Sequence, residues 1–89
     1  MSAGRPTDDD IRAALLSLAK ARAPGTLCPS EVARAQSADW RALMPAVRGV
    51  AAALQASGAI VVTQKGQAVD PLTAKGPIRL GLALAQETD

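Results

Sequence analysis

Few side chains in this sequence can do covalent chemistry, and those few lack partners. Among 89 residues there is one cysteine and no histidine, tyrosine or phenylalanine. Without histidine there is no imidazole base and no ordinary zinc set, and a lone cysteine closes no internal disulfide. Cys28 stands in Cys28-Pro29-Ser30-Glu31, which reads as a helix start: proline suits the first helical position and glutamate reaches back to the free amide, with cysteine where serine or threonine is usual. The functional alternative is a thiol made acidic by the helix terminus and used as a redox sensor, which the absence of a resolving cysteine disfavours. The run Asp8, Asp9, Asp10 follows Thr7 and reads as first-turn carboxylates opposing the helix dipole behind a threonine cap. No nucleophile is left beside a base, so the expectation is a protein that is not an enzyme, with no catalytic, cofactor-binding or metal residues.

The chemistry that remains is cationic. Net charge is only +2, yet five of the eight acids (Asp8, Asp9, Asp10, Glu87, Asp89) sit at the ends, and the stretch from Ile11 to Leu84 carries nine bases and three acids, a balance of +6. A basic body suits a polyanionic partner, and equally serves as a solvated surface. The candidate nucleic-acid contacts are Arg41, Arg48, Gln55, Lys65, Lys75 and Arg79. Arg48 and Gln55 fall on the outward side of a helix whose inward side is Val47, Val50, Ala51 and Leu54, and in a major groove arginine reads guanine and glutamine reads adenine. Gly49, Ala52 and Ala56 keep that outward side slim, which favours a groove or a close protein contact alike. Arg41, seven residues before Arg48, would guard the helix start, while Lys65, Lys75 and Arg79 would hold phosphates.

The elements that must position these residues follow from periodicity and punctuation. After an arm at 1–6, read as disordered, Ile11, Ala14, Leu15 and Leu18 make the inward stripe of a first helix that ends before Pro24. Thr26 to Cys28 is a short extended segment, and the second helix turns Val32 and Ala35 inward. Asp39 is placed to cap a short segment from Trp40 to Met44, with Trp40 filling the gap beneath the turn. Pro45 then predicts a bend at Leu43 or Met44 and a third helix starting near it, ended by Ser57-Gly58. Ile60 and Val62, then Ile78, Leu80 and Leu82, alternate as half-buried strands around a loop. In that loop Lys65-Gly66 is a turn, and Asp70 to Gly76 forms one capped helical turn. The ordered domain is expected over 7–84, with 85–89 frayed. The fold class is α+β: a small winged helix-turn-helix of three helices, a short strand and a two-stranded wing.

Three stretches, CPSEVARA at Cys28 to Ala35, DWRALMPAVRGVAAAL at Asp39 to Leu54 and VTQKGQAVDPLTAKGPIRLGL at Val62 to Leu82, resemble a mostly bacterial family, the domain of unknown function numbered 3253. The resemblance covers nearly all of the ordered chain and implies a winged-helix-like fold. It assigns no catalytic residue. No apolar run reaches the roughly 18 residues of a membrane span, and the N-terminus has no basic-then-apolar signal pattern, so a cytoplasmic protein is expected. The functional expectation is a DNA-binding winged-helix protein, a transcriptional regulator whose partner is double-stranded DNA. The alternative is a winged-helix module for protein–protein contacts that binds no nucleic acid.

Overall fold

A computed structural model describes residues 6–83 of the chain; apart from Pro6, the arm expected at 1–6 and the tail expected at 85–89 lie outside the described residues. The first helix, α1 (Asp8–Arg22), starts in a reciprocal cap. The Thr7 hydroxyl accepts from the Asp10 amide at 3.1 Å, and the Asp10 carboxylate accepts from the Thr7 amide at 3.0 Å. Ile11, Leu15 and Ala19, four residues apart, are fully buried, with Ala14 and Leu18 packed beside them. Thr26–Leu27 then forms β1, and Pro29–Gln36 forms α2.

The start of α2 is built as the sequence implies: the Glu31 carboxylate accepts from the Cys28 amide at 3.1 Å. A second bond, from Arg22 at the end of α1, reaches the same carboxylate. The Arg22 bond first, and the Cys28 amide second, hold the Glu31 carboxyl below its ordinary pKa. On α2 the buried stripe is Pro29, Val32 and Ala33, and Ala35 is exposed. The expectation that Ala35 faces inward is therefore corrected: at 100° per residue it lies more than a quarter turn from the centre of that stripe.

Trp40–Ala56 is one uninterrupted helix, α3, with Pro45 inside it. The expected late start does not occur. Proline at this depth removes the amide that would bond the Arg41 carbonyl and costs about 3 kcal/mol in a helix interior. Burial of Leu43, Val47, Val50, Ala51 and Leu54 on both sides of it outweighs that cost, each large apolar side chain contributing about 1.5–3 kcal/mol. Asp39 also departs from expectation, because its side chain caps nothing; the Ser37 hydroxyl instead accepts from the Asp39 amide at 3.0 Å.

Ile60–Gln64 (β2), Gln67–Ala68 (β3) and Arg79–Leu82 (β4) complete the elements. With β1 they form one antiparallel sheet in the order β1-β4-β2-β3. The strand β3 goes beyond the two-stranded hairpin expected. Lys65 and Gly66, with φ of 53° and 81°, make the mirror-image turn that matches strand twist, so the chain folds straight back and Gln67 pairs with Gln64. Ile60, Val62, Ile78 and Leu80 turn inward onto the helices and are buried. Thr63 and Arg79, one residue out of phase and paired with each other, lie on the other side. The result is a small α+β fold with a single core shared by three helices and one sheet face. None of the described helices is long and apolar enough to cross a membrane.

Candidate nucleic-acid interface

The outward row of α3 is Arg41, Arg48, Gln55, spaced by seven residues and hence nearly in line along the helix. The hairpin folds over two of the three. Arg48 donates from Nη1 to the carbonyl oxygens of Pro71 (3.0 Å) and Ala74 (2.8 Å), and from Nη2 to that of Gly76 (3.0 Å). Gln55 donates from Nε2 to the Val69 carbonyl (2.9 Å), and its Oε1 accepts from the Val62 amide (2.5 Å). Both side chains fasten the segment between β3 and β4 to α3. Three of the five N–H donors of Arg48 and both ends of the Gln55 amide are thereby committed to backbone.

That segment is itself closed into one turn. The Thr73 and Ala74 amides donate to the Asp70 carbonyl (3.1 and 2.9 Å), and the Asp70 carboxylate accepts from the Leu72 amide (2.9 Å). Gly76, at φ 87°, leaves the turn in the left-handed region. Gln64 completes the lacing by donating to the Lys75 (2.6 Å) and Pro77 (3.1 Å) carbonyls. These bonds bring the segment carrying Lys75 beside the strand end that carries Lys65. Both lysines are exposed. Arg48, Lys75 and Lys65 thus lie along the helix–hairpin seam, and Arg41 stands seven residues before Arg48 on α3. Arg79 does not join them: it lies on the opposite side of the sheet, where Nε donates to the Thr26 hydroxyl and Nη2 to the Thr26 carbonyl, both at 3.0 Å.

A second cationic group lies where α2 meets α3. The guanidinium carbons of Arg34 and Arg41 each lie over the Trp40 ring, 4.4 Å from its centroid. Trp40 is half-buried and packs against the core, whereas both arginines are exposed. The ring quadrupole attracts each cation by about 0.5–1 kcal/mol at an exposed site. Repulsion between two charges separated by at most twice 4.4 Å is at least about 0.5 kcal/mol in water. The two ring contacts therefore offset a repulsion of the same order without a carboxylate partner among the described residues. Arg34 is not among the candidates that the sequence pattern singles out; its only signal there is an outward place on the second helix, a few residues before the sole aromatic.

The outward surface of α3 beside the arginine row is Pro45, Gly49, Ala53 and Ala56, all exposed, and nothing approaches within 4 Å of where a Gly49 Cβ would stand. Leu72, on the turn held by Arg48, is 64% exposed. Cys28 is half-buried, its Sγ 3.0 Å from the Ser30 hydroxyl. Among the described residues no cluster of three or more histidine, cysteine, aspartate or glutamate side chains is arranged to hold a metal ion.

Fold and surface together define a small α+β domain whose distinguishing feature is a cationic helix–hairpin seam. The chain belongs to the family described as Protein of unknown function (DUF3253), which matches residues 8–83, from the first residue of α1 to the residue after β4. A comparison with curated proteins finds no match.

Proposed function

We propose that the protein binds double-stranded DNA in the manner of a winged helix, gripping the sugar–phosphate backbone with little reading of base edges. The observation that carries this reading is three exposed cations that form no ion pair among the described residues, Lys75 and Lys65 on the hairpin and Arg41 on α3, on either side of the anchored Arg48. The order helix, strand, helix, helix, hairpin, with β1 paired to the last strand, supports the winged-helix description. In such folds the third helix and the hairpin approach the duplex together. Arg48 and Gln55, expected to read guanine and adenine, instead take the task of fixing the angle between helix and hairpin. Specificity then comes from backbone geometry and groove width.

Three phosphate contacts give a log–log salt slope of about −3, a loss of roughly fortyfold in affinity between 50 and 200 mM salt. Fluorescence polarisation with a labelled mixed-sequence duplex measures both. Binding that is absent at 50 mM salt, or indifferent to salt, refutes the reading.

One observation favours the alternative, a protein-contact module without nucleic-acid binding: the apolar strip Pro45, Gly49, Ala53 and Ala56 lies on the same helix as the anchor of the exposed Leu72. A defined protein partner retained at high salt after nuclease treatment, and lost on Leu72→Asp, would establish it in place of DNA.

A further inference from the structure

We infer that Arg34, Trp40 and Arg41 form a phosphodiester-binding pincer at the α2–α3 junction, a contact separate from the hairpin lysines. The inference deepens the DNA-binding reading and rests on it for the identity of the ligand. Its first ground is a contrast among the arginines. Arg12 pairs with Asp9, Arg22 with Glu31, Arg48 with three carbonyls and Arg79 with Thr26. Arg34 and Arg41, by contrast, have no hydrogen-bond acceptor and no carboxylate partner among the described residues. They are nevertheless gathered, from two different helices, over one ring. The adjacent acid, Asp39, makes no ion pair with either.

The second ground is the platform. The Trp40 ring packs on the core, so it fixes where both cations stand, and a cation–π contact uses their charge while leaving their N–H forks without acceptors. A fork of this kind takes two oxygens of one phosphate at once, a geometry lysine cannot supply. The two guanidinium carbons are confined within twice 4.4 Å of each other. Each strand of a duplex offers a phosphate for about every 3.4 Å of its axis, so both forks can be filled from one stretch of backbone. The ring has its own role in this: with guanidinium groups over it, Trp40 acts as their support and is not a stacking surface for bases.

The chemistry shared by the possible ligands is the phosphate oxygen pair, and the test separates a DNA backbone from free phosphate. Trp40 is the chain's only tryptophan, with no tyrosine present, so its emission reports on the pincer directly. The full chain is titrated with the mixed-sequence duplex, and separately with inorganic phosphate, while Trp40 emission and duplex polarisation are followed. Duplex binding is expected to change Trp40 emission with the same midpoint as the polarisation. Arg34→Gln and Arg41→Gln are each expected to weaken binding several-fold and to reduce the salt slope by about one. Lys65→Gln is expected to reduce the slope equally and leave the Trp40 response intact. Because neither pincer arginine hydrogen-bonds to the fold, the variants should unfold at nearly the same urea concentration as the parent. If duplex is bound while emission stays constant and the arginine variants keep the parental slope, the pincer is refuted and the DNA reading stands. If no duplex is bound at all, the DNA reading is refuted; a saturable emission change with inorganic phosphate then preserves the pincer as a free-phosphate site, and a flat titration overturns it as well.

Discussion

Arg48 shows how far one side chain's task is set by residues distant in the chain. Its place on α3 is readable from the seven-residue spacing of Arg41, Arg48 and Gln55, but its acceptors are the carbonyls of Pro71, Ala74 and Gly76, 23 to 28 positions later. Periodicity tells which side of a helix a residue occupies and says nothing about what another element lays over that side. For this reason Arg48 and Gln55 look free in the sequence and are bonded in the fold. Hydrogen bonds from a charged donor contribute about 1.5–3 kcal/mol each when made within protein, and less where water can replace the partner. Arg48 is half-buried, so Arg48→Ala is expected to lower stability by about 2–3 kcal/mol, read as a reduced urea midpoint. Arg48→Lys should recover only part of this, since an ammonium group cannot reach three diverging carbonyls through a planar fork. If Arg48→Ala leaves the urea midpoint unchanged and abolishes duplex binding, the side chain is a ligand contact after all.

Elements follow their local chemistry, except where tertiary burial overrules it. The Thr7 cap, the Pro29 start, the Gly58 exit at φ 86° and the Lys65-Gly66 turn are all legible, because each depends on neighbours within three or four residues. Pro45 is not: a local rule starts or bends a helix there, while five buried side chains carry α3 through it. The strand β3 is also illegible, since two residues, Gln67 and Ala68, both exposed, carry no alternation to detect. The junction of α1 and α2 yields a pH prediction. The bonds from Arg22 and the Cys28 amide depress the Glu31 pKa in the folded state, so the unfolded chain binds that proton more readily. The stabilisation is fully present above the ordinary glutamate value of 4.5 that applies to the unfolded chain, and is lost as pH falls through the lower folded one. Glu31→Gln should therefore be less stable than the parent at pH 7, by a fraction of a kcal/mol given the exposure of the pair. The gap should close in strong acid, below the depressed folded value, as measured by urea unfolding across pH. A gap that persists unchanged there would show that the Arg22–Glu31 link contributes nothing through charge.

At the scale of the molecule, charge is segregated more sharply than the net value suggests. The three carboxylates at the start of α1 occupy its first turn, whereas Arg34, Arg41, Arg48, Lys65 and Lys75, with no carboxylate partner among the described residues, lie at the α2–α3 junction, on α3 and on the hairpin. The sheet adds a constraint of a different kind. Its order, β1-β4-β2-β3, leaves as its two borders the shortest of the described strands, two residues each. A border that short offers too few free amides and carbonyls to template an incoming strand, which is how natural sheets avoid edge-to-edge aggregation. Among the described residues, a partner that adds a strand, or a stacking copy, meets only a two-residue template at either margin. Docking is left to the surfaces where the exposed cations stand, Arg34 and Arg41 on the helices and Lys65 and Lys75 on the hairpin.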